Sequence, residues 1–279
     1  MLNKNAKKHF SEYLNVDLSE PLKKHSHKKN PDKLLVISDP HCPFEHKDYF
    51  IKSINDNTDC KNIFINGDFF DNYSRSHYRR SQDIDFRWEF RLAYLRLKEV
   101  ADNFDGVYIM LANHDMRWLK YLMDNVPNDC LDFLNKNLFE DLIKTIPNVR
   151  IVKQLVGDRK VSHLFQYKDV IFTHEERSSV DIAKVVQEVA KQYYKWGEHY
   201  NLKPYRAIIQ GHNHVSAKIR FGDRFLYQIP CLINSSDIAF DYVYNGRTQG
   251  NPPALGYMMA YFDNDKFNPN KSYIYDYEV

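Results

Sequence analysis

Glycine is scarce in this chain, with 9 in 279 residues, against a usual share of about 7%. Those that occur, Gly67 and Gly211 among them, are therefore more informative than usual. Cysteine is sparse too. Cys42, Cys60, Cys130 and Cys231 are widely dispersed and form no CxxC pair, which excludes a disulfide or zinc framework and reads as reduced thiols in a cytoplasmic protein. No apolar run approaches the roughly 18 residues of a membrane helix. The opening stretch, MLNKNAKKHFSEYLNVD, lacks the apolar centre of a secretory signal. A formal charge of +2 makes no global case for nucleic acid or membrane, so only local patches can argue for either.

What remains is an ordinary soluble composition, 43% hydrophobic and 27% charged, in a chain long enough for one sizeable core. Residues 1–30 carry seven lysines against three acidic residues, a basic arm or short helix that is either solvated or a tether for a polyanion. From residue 31 to 279 there is neither a repeat nor a low-complexity linker, so a single domain is expected. Apolar, β-branched runs recur at Leu34–Ile37, Ile63–Ile65, Val107–Leu111, Val170–Phe172 and Ala207–Ile209. Helical periodicity fills the gaps: Phe86, Phe90, Ala93, Leu97 and Val100; Leu131, Leu134, Leu138, Leu142 and Ile146; Ile182, Val185, Val189, Tyr193 and Trp196. These stripes are core and nothing more. Farther on, Ala217–Phe221 and Arg224–Ile229 flank a hairpin pair, Gly222-Asp223. Tyr257–Phe262 and Ser272–Tyr277 flank a second polar turn. Between the two pairs runs a long irregular stretch, Asn234–Pro253, with Tyr242, Tyr244 and Arg247; loops of that length are functional or disordered.

The strand-like runs end alike. The first ends on Asp39 and His41, the second on Gly67-Asp68 with Asp71 close behind, and the third on Asn113-His114-Asp115. The fourth ends on His174 and the fifth on Gly211-His212-Asn213-His214. One DxH or GHxH is usually a turn or a satisfied histidine. Five in succession at the carboxyl ends of strands, where α/β sheets hold their ligands, point to a metal centre. Asp, Asn and His suit borderline divalent ions, and several imidazoles argue against magnesium or calcium. Asp39, His41, Asp68, Asn113, His174, His212 and His214 are too many donors for one tetrahedral ion, which implies two ions sharing a carboxylate. Two metals about 3.5–4 Å apart are the usual device for attack on phosphorus.

The ordered motifs DPH, GDFFD, ANHD, TH and GHNH, between about residues 34 and 214, resemble the calcineurin-like metallophosphoesterase family. The resemblance implies an α/β fold of two facing mixed β-sheets flanked by helices, a four-layer αββα sandwich, with the C-terminal strands completing its second sheet. It implies one ion on Asp39, His41, Asp68 and His214, the other on Asp68, Asn113, His174 and His212. It implies hydrolysis of a phosphoester by metal-activated hydroxide, with His114 protonating or stabilising the leaving oxygen and Asp71 orienting its ring. Against these roles stand plainer ones, a packing histidine and a turn cap. Manganese is the first expectation, with iron, zinc or nickel as alternatives. Asp115 reads as the N-cap of a helix starting at Met116.

The departures are informative. Ala112 replaces the family glycine before the Asn. Glu175 follows the lone His where a glycine is usual, and lies close to the cluster or turns outward. The two arginines with which the phosphoprotein-phosphatase branch grips a monoester dianion are Asn72 and Leu111 here, which argues against a protein phosphatase. The stretch NYSRSHYRRSQD after Asp71 puts Arg75, Arg79 and Arg80 among Tyr73, His77 and Tyr78, suited to single-stranded nucleic acid or else a solvated insertion. Arg177 and Ser178, just past His174, would meet a phosphate or cap a helix. The leading expectation is a phosphodiesterase on DNA or RNA; the alternative is a phosphodiesterase or phosphomonoesterase for a small nucleotide, and a non-enzymatic interaction module is the third. The partners expected are a nucleic-acid or nucleotide substrate and a second copy of the chain in a homodimer, but no membrane.

Overall fold

The structure, a computed structural model, describes residues 22, 28–77, 80, 82–131, 134, 138–177, 179, 181–235 and 252–278. The basic arm, apart from its last few residues and Leu22, lies outside them, as does most of the 234–253 stretch. Along the described chain run β1 (Asn30–Ile37), α1 (Lys47–Asn55), β2 (Cys60–Asn66), a 3-10 turn (Tyr73–Arg75), α2 (Phe86–Ala101), β3 (Gly106–Met110) and α3 (Arg117–Asn125). Then come α4 (Asn128–Leu131), α5 (Leu138–Ile143), β4 (Val149–Val152), β5 (Gln154–Val156), β6 (Arg159–Val161), β7 (Leu164–Tyr167), β8 (Val170–Thr173) and α6 (Lys184–Trp196). The chain closes with β9 (Ala207–Gln210), β10 (Ala217–Phe221), β11 (Arg224–Gln228), β12 (Gly256–Asp263), β13 (Lys266–Phe267) and β14 (Tyr273–Asp276).

Two larger mixed sheets result. The seven-stranded one runs β13-β12-β1-β2-β3-β4, with β14 also on β12. Strands β1 to β4 are parallel and β12 is antiparallel to β1. The five-stranded one runs β10-β11-β9-β8-β7, with β8, β9 and β11 parallel. Of the strands after His214, only β10 and β11 complete the second sheet. Strands β12 to β14 extend the first, a correction to the expectation for that region.

Because side chains alternate across a strand, a strand buried on both faces needs an unbroken apolar run. Leu34 and Val36 enter the layer between the sheets, with Phe64, Met110, Phe172, Ile209 and Met258. Their neighbours Leu35 and Ile37 face the other way, toward Phe50 and Ile54 of α1 and Phe90, Leu97 and Val100 of α2. In the second sheet Ile171, Ile208 and Leu226 turn outward onto Val185, Val189 and Tyr193 of α6. The result is helix, sheet, sheet, helix: the expected four layers. Phe64 and Phe172 stack at 3.8 Å across the middle, so Phe64→Ala removes a ring shared by both sheets and costs about 3–5 kcal/mol.

Helix α2 follows its stripe and is capped by Asp85, whose carboxylate accepts from Arg87 N and Trp88 N. The stripe from Leu131 to Ile146 instead divides between α4 and α5, with Leu134 exposed. In α6 the inner positions are buried, but Ile182 and Trp196 at the ends of the stripe are exposed. Among the described residues no helix is long and apolar enough to cross a membrane.

Candidate metal centre

The carboxyl ends of β1, β2 and β3 in one sheet, and of β8 and β9 in the other, open onto one place. Three of these strands hand over to turns with left-handed backbone: β1 to Asp39 (φ 50°) and His41 (52°), β2 to Asp68 (50°) and Asn72 (52°), and β9 to His212 (75°) and His214 (55°). Asn, Asp and His are the non-glycine residues that best tolerate this region. Backbone hydrogen bonds lock the first two turns together, from Asp39 N to Gly67 O (3.2 Å) and from His41 N to Asp68 O (3.0 Å). Gly67 is needed twice: its φ is +89°, and a Cβ there would stand 2.3 Å from His174 Nδ1. A Cβ on Gly211 would meet Ser38 Oγ at 2.3 Å and His174 Nδ1 at 2.8 Å. The two glycines thus make the slot for the His174 ring.

The side chains converge in three groups, each with ligand atoms within 4.8 Å of one another: Asp39, His41 and His214; Asp68, His174 and His212; and His41, Asp71 and His114. His214 Nε2 lies 3.1 Å and His174 Nε2 3.6 Å from Asp39 Oδ1, while His174 Nε2 is 3.1 Å from Asp68 Oδ2. All but His212 are buried. The ring tautomers are set from behind. His174 Nδ1 donates to Asn66 O at 2.7 Å and His41 Nδ1 to Asp71 Oδ1 at 2.8 Å, which turns both Nε2 atoms inward. Those two atoms and Asn113 Oδ1 are buried with no hydrogen-bond partner, a costly state for polar atoms unless something else occupies them.

The electrostatics agree. Burial pushes the Asp39 and Asp68 carboxyls up, but the imidazoles beside them, His174 foremost, hold both well below the usual carboxylate range. Burial lowers His41, yet the carboxylates of Asp39 and Asp71 beside it raise it to about 10; Asp68 and Asp39 likewise raise His174 to about 9. A cluster that draws protons onto two imidazoles carries excess negative charge, and a divalent cation answers that charge without a proton. The donor set, its unpartnered lone pairs and its charge all fit a pair of divalent ions.

Asp71 is the hub behind this cluster. Its Oδ1 receives His41 Nδ1 and, at 2.5 Å, His114 Nδ1, and Arg117 Nη1 approaches it at 3.2 Å. Burial opposes its ionisation, but Arg117 and His114 hold its carboxyl well below the ordinary value. His114 moves the other way: burial and the Arg117 charge lower it to about 4. Arg117 Nη2 donates to His114 Nε2 at 3.1 Å. Sequence reasoning missed this arginine, although it stands three residues after His114, the spacing of neighbours on one helical turn.

Asp115 corrects another expectation. Helix α3 starts at Arg117 behind Met116 and has no side-chain cap. Asp115 instead accepts from the backbone N–H of Asp68 (2.9 Å), Phe70 (2.8 Å) and Ala112 (2.8 Å), tying the β2 and β3 loops together. Burial and the Asp68 charge push its carboxyl up to about 8. Glu175 turns from the cluster to α6, where Tyr193 Oη donates to it at 2.9 Å. Asn72, in the position of a family arginine, donates Nδ2 to His114 O (3.1 Å) and Asp115 O (3.3 Å).

The basic candidates part company. Arg75 lies over the rings of Tyr121 (4.8 Å), Phe86 (4.9 Å) and Trp118 (5.9 Å), and Phe86 and Trp118 stack at 4.8 Å. Arg80 Nη1 donates to Ser74 O. Arg177 gives its guanidinium to Gln192 of α6, so it is occupied by the helix. Arg79, Tyr78 and Ser178 lie outside the described residues, as do Tyr242, Tyr244 and Arg247.

A family model, the calcineurin-like phosphoesterases, matches residues 32–239. Comparison with curated proteins finds no match. Among solved structures the chain is similar to an archaeal phosphodiesterase, at 15% identity and a TM-score of 0.40, covering 87% of this chain and 99% of that one. It is also similar to a metallophosphoesterase from Sphaerobacter thermophilus, at 12% identity and a TM-score of 0.43 over 89% and 90%. A predicted phosphoesterase from Streptococcus pneumoniae follows at 13% identity and a TM-score of 0.34, over 88% and 98%. With a site built from five strand ends and a family match across most of its length, the chain belongs to the calcineurin-like phosphoesterases, hydrolases of phosphoric esters.

Proposed function

We propose that this chain hydrolyses phosphodiester bonds in DNA or RNA. The observation that carries the reading is the convergence of Asp39, His41, Asp68, His174, His212 and His214, with buried, unpartnered lone pairs on His41, His174 and Asn113, the residue before His114. Asp39, His41, Asp68 and His214 would hold one divalent ion, and Asp68, Asn113, His174 and His212 the other, manganese before iron, zinc or nickel. Such ions, when bound, supply Lewis acidity toward phosphoryl oxygens and lower the pKa of water. The chain's own residues do the rest. Asp71 fixes the rings of His41 and His114 together, so the orientation of a ligand and of the residue nearest the leaving oxygen is set by one carboxylate. His114 N donates to Asp68 Oδ1 at 2.9 Å, which keeps that imidazole beside the shared carboxylate.

Two features support a diester on a base-bearing chain. Asn72, tied to backbone carbonyls, and Leu111, buried in the core, offer no fork for a monoester dianion. The Arg75, Phe86, Trp118 and Tyr121 layer starts one residue from Arg117 and offers rings and charge for stacking. The four unpaired cysteines, three of them buried, support a reducing, cytoplasmic setting. The test is a paired assay with manganese: bis-p-nitrophenyl phosphate against p-nitrophenyl phosphate, then a single-stranded oligonucleotide against a cyclic dinucleotide. Diester and oligonucleotide turnover is expected. Preference for the monoester overturns the diesterase reading, and turnover of the cyclic dinucleotide alone moves the substrate to small nucleotides.

A further inference from the structure

We infer that Arg117 is the residue that grips a non-bridging phosphoryl oxygen of the substrate, an inference that rests on the phosphoesterase reading above. The need comes from the site itself. Positions 72 and 111, where an arginine fork is available to the protein-phosphatase branch, hold an asparagine bonded to backbone and a buried leucine. A phosphate entering this cluster still needs N–H donors that match its tetrahedral oxygens. Arg117 comes from a different place, the first residue of α3, and is 8% exposed.

An arginine carries five N–H groups and no acceptor. Here Nη1 is spent on Asp71, at 3.1 Å from its carbonyl oxygen and 3.2 Å from Oδ1. Nη2 spends one hydrogen on His114 Nε2. The Nε–H and the second Nη2–H have no partner among the described residues. Were tying down Asp71 its whole task, Nη1 alone would do it. Instead a nearly buried cation holds unspent donors at the margin of the metal-binding residues: Nη2 is 3.1 Å from His114 Nε2, itself 4.0 Å from Asp68 Oδ2. Because the guanidinium is always charged, its bond makes His114 Nε2 an acceptor and places the ring proton on Nδ1, facing Asp71. The N–H presented on that side is therefore the arginine's, and an anionic oxygen is the partner that completes it.

Inorganic phosphate serves as the probe, titrated calorimetrically into manganese-loaded protein, with bound manganese counted by mass spectrometry. Arg117→Met should weaken phosphate binding by about 10–100-fold at unchanged manganese content. Arg117→Lys should restore part of it, since a point charge replaces the fork. Lys120→Ala, one turn along the same helix and exposed, should change phosphate affinity less than about two-fold, because exposed charges are screened. The inference is overturned if Arg117→Met binds phosphate within about three-fold of the parent, if it loses manganese along with phosphate, or if the parent binds no phosphate. None of these readouts needs turnover. A parent that binds phosphate but cleaves no diester would sink the proposed activity and leave the role of Arg117 standing.

Discussion

The loops that leave β1, β2 and β3 and the loops that leave β8 and β9 meet at one cluster but bring different chemistry. The first sheet supplies the carboxylates, Asp39, Asp68 and Asp71, and braces them itself: Asp115 ties three backbone N–H groups, Arg117 holds Asp71, and Glu89 holds Tyr73 N and Ser74 N. The second sheet supplies imidazoles, and they lean on the first. His174 is fixed by Asn66 O, His212 N donates to Asp39 Oδ2 at 3.0 Å, and His214 Nε2 stands on Asp39 Oδ1 at 3.1 Å. One half is self-supporting and charged; the other is positioned by it. Damage should therefore travel from the first sheet to the second more than the reverse.

The largest break should come from the carboxylate proposed to serve both ions. Asp68→Ala is expected to lower divalent-metal affinity by at least about 100-fold, and His214→Asn by about ten-fold, since the proposed site has Asp68 serving both ions and His214 only one. Metal titration calorimetry measures both, and equal losses would end the asymmetry. Next comes the seam. Gly67→Ala puts a methyl group against His174 in a left-handed position, and about 3 kcal/mol of lost stability in urea unfolding is expected. A loss under about 1 kcal/mol would mean the slot is loose.

The brace predicts a pH slope. Burial, then the charge on Asp71, raise the Glu89 carboxyl from 4.5 to about 7. The folded chain then binds the extra proton between those values, so this contribution to stability is complete below pH 4.5 and is lost as pH rises to 7. Glu89→Gln should flatten stability against pH across that window, removing a slope worth on the order of 3 kcal/mol. Parallel curves for the two proteins would refute the assignment. Smallest of all, Arg177→Ala should leave diester turnover within about three-fold, since its guanidinium belongs to Gln192.

How far these features were legible follows their range in the chain. The cluster residues stand within a few places of the ends of apolar β-runs, so run and ligand are read together. The two-sided strands are legible because both faces are apolar. The strands from Val149 to Tyr167 escaped, being three or four residues long with few buried positions. Asp115 was misread because local pattern makes it a cap, whereas two of its three partners lie 45 and 47 residues back. Arg75 and Arg177 are basic in any reading. Whether a guanidinium faces rings, a helix or a ligand depends on neighbours brought in by tertiary packing.

The left-handed turns at Asp39, His41, Asp68, His212 and His214 restrict how this site can change under mutation. Each position must accept an unfavourable backbone while ending in a donor of set reach. Glutamate for aspartate, or glutamine for histidine, fails on both counts, moving the donor and resisting the turn. Libraries built on such conservative swaps should return few survivors, and new specificity will come more readily from the side chains around the rim.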